Sequence, residues 1–153
     1  MKFATHRGFT LIELIVTVMI ISILVGLAVP LARNSIKREK EFELRAALRD
    51  LRTAIDKHKD LTDRGFIMQK FDTEGYPETL QVLVDGVDMV GQVNKKVKLL
   101  RRIPRDPMTN STEWGQRSYQ DDPKATSWGG QNVFDVYTKS EGTALDGTKY
   151  KDW

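Results

Sequence analysis

The feature that most limits how this chain can fold is the run "FTLIELIVTVMIISILVGLAVPLA", residues 9–32. It holds 24 residues and a single ionisable side chain, Glu13. As a helix at ~1.5 Å per residue it spans ~36 Å, enough to cross a hydrocarbon layer of ~30 Å. No second apolar run of this length follows, so the sequence reads as one membrane span attached to one polar body. Cysteine is absent, which excludes disulfide staples, thiolate metal sites and a cysteine nucleophile together. The formal charge of +3 arises from 24 basic and 21 acidic residues. That balance is mild and well mixed, and it gives no general argument for a nucleic-acid partner.

Three readings of the N-terminus compete. A secretory signal peptide needs a basic start, a shorter apolar stretch and a small-residue cleavage site behind it. "MKFATHR" is basic and "GLA" precedes Val29, but the apolar run is too long and Pro30 sits badly just past the site. A plain anchor explains the length and leaves Glu13 without a purpose. The third reading rests on "RGFTLIELIVTVMIISILVGLAVP", which resembles the processing signal of type IV pilins and of the pseudopilins of type II secretion. The resemblance implies that a prepilin peptidase cuts between Gly8 and Phe9 and N-methylates Phe9, with Lys2 and Arg7 forming the basic leader. Glu13 then becomes the fifth residue of the mature chain.

The physical chemistry of Glu13 suits that reading. A carboxylate in hydrocarbon costs roughly 2.5–3.5 kcal/mol even on mild insertion scales unless it finds a partner. Cleavage creates a cationic α-amine at Phe9, one helical turn (~6 Å) away along the axis. In axially offset helices, Glu13 of one copy can pair with the terminus of the next, a registry role known for buried ion pairs. Charge counting opposes the implied topology. Arg33, Lys37, Arg38, Lys40 and Arg45 follow the span, against only Lys2, Arg7 and the initiating amine before it. The expectation of an inner-membrane span with a periplasmic head therefore comes from the resemblance alone.

Ser22, Gly26 and Pro30 recur at spacing four. Pro30 removes the hydrogen bond to the Gly26 carbonyl and Gly26 adds its own entropic cost, so residues 22–31 are expected to be the weak part of the helix. Small residues at this spacing also allow close helix packing. Glu13, Gly26 and Pro30 are thus the candidate assembly residues. Beyond Arg33, Leu44, Ala47, Leu48, Leu51, Ala54 and Ile55 form a buried-stripe pattern, extending one helix to His58–Asp63. His58 ends the stripe and reads as a packing residue rather than a ligand.

The remaining text is that of a small head. "GYPETLQVLVDGV" reads as a turn and a short helix from Glu78 to about Val84. "KKVKLLRRIPRDPMT" alternates and then turns, while "WGQRSYQ" and "NVFDVYTKS" carry strand composition. The fold class is α+β and pilin-like: a long N-terminal helix, transmembrane then amphipathic, packed on a small antiparallel sheet with a loop-rich C-terminus. The expected organisation is a leader at 1–8, a membrane and filament-core helix at 9–32, its amphipathic half at 33–63 and a periplasmic head at 64–153. The "YP…L" turn, "LRRIPRDPMT", "VFDVYTKSEGTALDG" and the closing "KDW" extend the resemblance to the major pseudopilins.

Major pseudopilins often bind calcium in the segment matching "SEGTALDGTKYKDW", where this chain offers Glu141, Asp146 and Asp152. Calcium takes six to eight oxygens, and here Lys149 and Lys151 intrude, so the expectation is no cofactor, with these three as weak calcium candidates. Lys95, Lys96, Lys98, Arg101 and Arg102 form a basic cluster that suits a solvated strand edge. It also offers a contact for Asp121, Asp122 or Asp135 of a neighbouring subunit; nucleic acid is the poorest fit. The sequon Asn110-Ser111-Thr112 is a lone, weak match. No catalytic constellation assembles, so the chain is read as a non-enzyme.

The function implied is a structural subunit of a type II secretion pseudopilus that pushes proteins across the outer membrane. Its implied partners are further copies of itself, prepilin peptidase, minor pseudopilins and an inner-membrane assembly platform. The alternatives are the major pilin of a type IV pilus or a DNA-uptake pseudopilus, and a membrane-anchored periplasmic binding module.

Overall fold

The computed structural model describes residues 8–91 and 95–153, apart from the side chains of Leu27, Val29 and Pro30. The leader residues Lys2, His6 and Arg7 lie outside the described residues. The chain divides into two units, one ending at Arg38 and the other covering Glu39–Trp153. A single helix, α1 (Leu11–Asp63), contributes to both. Its start is set by Thr10, whose Oγ1 accepts from the Glu13 amide at 3.3 Å while its carbonyl accepts from the Leu14 amide at 3.2 Å. The hydroxyl thereby takes up one of the four amides a helix start leaves without partners. The helix runs without interruption through residues 22–31, so in this single chain the expected weak segment stays helical.

The second unit is built on the apolar stripe of α1. Leu44, Ala47, Leu48, Leu51, Ala54 and Ile55 are all buried, as their spacing requires. Facing them are Leu80 and Leu83 of α2 (Leu80–Asp85), together with Trp114, Val133, Val136, Ala144 and Tyr150. Helix α2 ends at Gly86, whose φ of 94° is rarely adopted by residues with a side chain, and a Cβ there would press on Lys96 and Lys98 at 3.1 Å. The Leu83 carbonyl then accepts from both the Leu99 and Leu100 amides, at 3.0 and 2.9 Å. This pins the start of "LLRRIPR" against α2.

Instead of one sheet, the described residues of the head form two antiparallel pairs. Strands β1 (Val87–Asp88) and β2 (Lys96–Val97) align Val87 with Val97 and Asp88 with Lys96. Strands β3 (Gly115–Arg117) and β4 (Asp135–Tyr137) align Gly115 with Tyr137 and Arg117 with Asp135. Strand β1 was not foreseen, because two residues behind a helix carry no period to read. At Gly115 the Tyr137 ring lies directly over the Cα, where a Cβ would collide with ring atoms. The Arg117 guanidinium covers the same ring at 4.1 Å from its centroid, fixing it in place. Gly115→Ala is expected to destabilise the head by about 1–3 kcal/mol, the usual range for overpacking. Thermal unfolding of the full chain in detergent measures this.

Where "RDPMT" turns, Asp106 is fully buried. Its Oδ1 accepts from the Met108 amide at 2.8 Å. Its Oδ2 accepts from the Thr109 hydroxyl at 3.0 Å and the Thr138 hydroxyl at 2.5 Å. The first of these bonds closes an Asx turn, and the last ties that turn to the end of β4.

His58 is buried beneath the loop that follows α1, with Nδ1 donating to the Gly75 carbonyl at 3.0 Å. Burial pulls its pKa below the usual imidazole value, partly offset by the bond to Gly75. A folded-state pKa below the unfolded one means that the unfolded chain binds the extra proton first. The contribution is complete above the unfolded value of about 6.5 and is lost as pH falls through the folded pKa. Head stability is expected to decline as pH drops below about 6.5, and His58→Gln is expected to flatten that limb of a pH–Tm curve.

Candidate functional site

The first 15 residues of α1 give the molecule its most unusual surface. Leu11, Ile12, Leu14, Ile15, Val18, Met19, Ile20, Ile21, Ile23 and Leu24 are all more than half exposed. None of the most apolar window of α1 is buried within the chain. An apolar face of this size needs lipid or other protein against it. The polar side chains in it bond inward: the Thr17 hydroxyl donates to the Leu14 carbonyl and the Ser22 hydroxyl to the Val18 carbonyl, both at 2.8 Å. Such back-bonding removes their desolvation cost in a membrane.

Glu13 stands at the head of this surface, in the first turn of α1. Its carboxylate makes no ion pair among the described residues. Thr10 and Glu13 also occupy the first and fourth positions of a T-x-x-E capping pattern, a signal the sequence reading passed over. A carboxylate in a first turn is favoured by the helix dipole as well. Gly8 and Phe9 precede the helix, outside any regular element, and both are exposed. Gly26 has nothing within 4 Å of where its Cβ would stand, leaving room for a neighbouring helix. Pro30 lies within the helix, while its side chain falls outside the described residues.

A family model described as the prokaryotic N-terminal methylation motif matches residues 4–29. Type II secretion system core protein G of Escherichia coli (strain K12) is 31% identical over 111 residues, covering 69% of this chain and 68% of that protein. The chain belongs to the core protein G family. No solved structure gives a match. As a core protein G relative it is a pilin-like structural protein with an apolar N-terminal helix of membrane-spanning length.

The C-terminal loop bears on the calcium question raised by this family. Two of the three candidate carboxylates are engaged, each with a different partner. Glu141 faces the Lys151 ammonium at 3.3 Å. Asp146 Oδ1 accepts from both the amide and the hydroxyl of Thr148, at 2.9 and 2.6 Å, and Oδ2 faces Arg45 at 3.5 Å. The Thr148 hydroxyl bond, then its amide, hold the Asp146 carboxyl below the usual carboxylate range. Asp152 sits exposed in the 3-10 turn Tyr150–Asp152. Among the described residues no three His, Asp or Glu side chains converge.

Residues that the sequence reading missed hold this loop instead. Arg52 donates from Nε to Asp135 at 2.7 Å, and from Nη2 to the Val136 and Trp153 carbonyls at 3.1 and 2.7 Å. Glu41 Oε1 accepts from the Leu145 amide and the Tyr150 hydroxyl, each at 2.9 Å. Burial, then the bond to Glu41, push the Tyr150 phenol up to about 12. The signal was present in α1: Glu41, Arg45 and Arg52 flank the apolar stripe, each three or four residues from Leu44, Leu48 or Ile55.

The basic cluster is exposed, with Arg101 and Arg102 joining Arg49, Lys57 and Arg105 around a shallow concavity. Of the acidic residues named as its counterparts, Asp135 is committed to Arg52 and Arg117 within the chain. Asp121 is likewise engaged, accepting from the Ser118 and Gly129 amides, which lower its pKa.

Proposed function

We propose that the chain is a prepilin that becomes the repeating subunit of a type II secretion pseudopilus. Prepilin peptidase cuts between Gly8 and Phe9 and methylates the new terminus. Residues 9–32 hold the subunit in the bacterial inner membrane with its head in the periplasm. Extraction into a filament lets the helices bundle, with Glu13 of one copy pairing with the Phe9 amine of the next. Growth of the filament on an inner-membrane assembly platform, with minor pseudopilins, pushes secreted proteins across the outer membrane. The role is structural, and the chain carries out no catalysis.

The observation that carries this reading is the coincidence of three features in residues 8–25. An accessible Gly8–Phe9 bond is followed within five residues by a carboxylate in a helix start, and then by an apolar face that nothing in the chain covers. A plain anchor would require only the last of these. The test is the mass of the mature N-terminus after coexpression with a prepilin peptidase, combined with electron microscopy of overproduced filaments. The expected product starts at Phe9 and carries one added methyl group. Retention of Met1, or a cut near Ala28, overturns the reading.

A further inference from the structure

We propose that three side chains of α1, Glu41, Arg45 and Arg52, close the C-terminal loop by direct bonds, so that its fold does not depend on a divalent cation. The loop is short and has little core of its own: Ala144 and Tyr150 are its buried apolar residues. Its internal backbone bonds make a small hairpin-like turn, with the Ala144 amide donating to the Thr148 carbonyl, Gly147 to Ala144 and Tyr150 to Gly142, followed by a single 3-10 turn. Such a turn needs outside ties to stay in one place, and α1 supplies them at both ends.

At one end Glu41 receives the Leu145 amide and the Tyr150 hydroxyl on a single oxygen. At the other end Arg52 spans from Asp135 and Val136 of β4 to the Trp153 carbonyl. Between them the Arg45 guanidinium lies 4.1 Å from the Trp153 ring centroid and faces Asp146. Trp153 packs edge-on against Tyr150 at 5.2 Å between centroids, and its Nε1 donates to the Thr148 hydroxyl at 2.7 Å. Arg45 and Asp146 are both largely exposed, so that pair contributes little by itself. The half-buried bonds to Glu41 and Arg52 are charge-assisted and carry the closure.

This arrangement occupies two of the three carboxylates a metal would need. Each oxygen of Asp146 already faces a donor, and Glu141 faces Lys151. A cation entering here would have to displace Arg45 or Lys151 and would meet their charge on approach. In this chain α1 fills the place of the ion.

The test is hydrogen exchange, read by mass spectrometry over residues 141–153 of the full-length chain in detergent. Stripping with EDTA, or adding calcium to about 10 mM, above the weakest affinities of extracellular calcium modules, is expected to change exchange less than twofold. Glu41→Ala is expected to speed exchange of the loop about tenfold or more, as loss of a charge-assisted bond does. Arg52→Met is expected to do the same at the Trp153 end. Tenfold or greater protection of the wild-type loop by calcium overturns the proposal, as does unchanged exchange in both variants. Should a variant fail to fold, the wild-type comparison with and without calcium still decides.

Discussion

Glu13→Ala is expected to leave the chain in the membrane fraction at normal levels and to abolish filaments. The apolar run keeps its length without the carboxylate, and removing a charge from it can only ease insertion. What disappears, on the proposed pairing with the neighbouring Phe9 amine, is a charge-assisted bond of about 2 kcal/mol. That corresponds to about a thirtyfold weaker equilibrium at each addition step, enough to stop growth at ordinary expression levels. The T-x-x-E pattern gives the Glu13 side chain a second candidate role, reaching back to the Thr10 amide at the helix start, whereas the bond from the Glu13 amide to Thr10 Oγ1 is backbone and survives either substitution. Glu13→Gln separates the two roles, since glutamine serves the capping pattern as well as glutamate does but carries no charge. Filament counts by electron microscopy at matched expression are expected to be as low for glutamine as for alanine. Normal filaments from Glu13→Gln with none from Glu13→Ala would assign Glu13 to the helix start. Normal filaments from both would remove the charge-pairing account.

The second large effect lies in the head. Asp106→Ala is expected to lower stability by about 4 kcal/mol, because the Met108 amide and the Thr109 and Thr138 hydroxyls all lose their acceptor in a buried site. For a unit of this size the melting temperature is expected to fall by about 15 °C. Asp106→Asn keeps one acceptor oxygen, and the threonine hydroxyls can turn to meet its amide, so less than half that loss is expected. Near-ultraviolet circular dichroism of the full chain in detergent follows both transitions. Equal losses from alanine and asparagine would show that the charge of Asp106, rather than its geometry, holds the turn.

Local pattern and long-range pairing differ in how far the chain discloses them. Helix α1 and its buried stripe were legible because burial on one face repeats every three or four residues, and Leu44 through Ile55 obey that repeat. Helix α2 was legible from its turn and its leucines, to within two residues of Leu80–Asp85. The separation into two strand pairs was not, because strands of two or three residues are too short to show alternation. The Arg52 contact to Trp153 joins residues 101 apart. No local window contains both, and an arginine beside an apolar stripe reads equally well as solvated. Thr10 and Glu13 were visible as a capping pattern, but the processing signal that overlaps them accounted for the same letters.

The inward bonds of Thr17 and Ser22 bear on how a subunit changes surroundings. A hydroxyl satisfied by a neighbouring helix would have to break that bond on leaving a bundle, and one satisfied by water would have to shed it on entering lipid. These two carry their acceptors with them, on Leu14 and Val18 of their own helix. The hydrogen-bond inventory of this stretch is therefore the same in a bilayer as among other helices. For these two side chains the move exchanges one set of apolar contacts for another, and the polar change is left to Glu13.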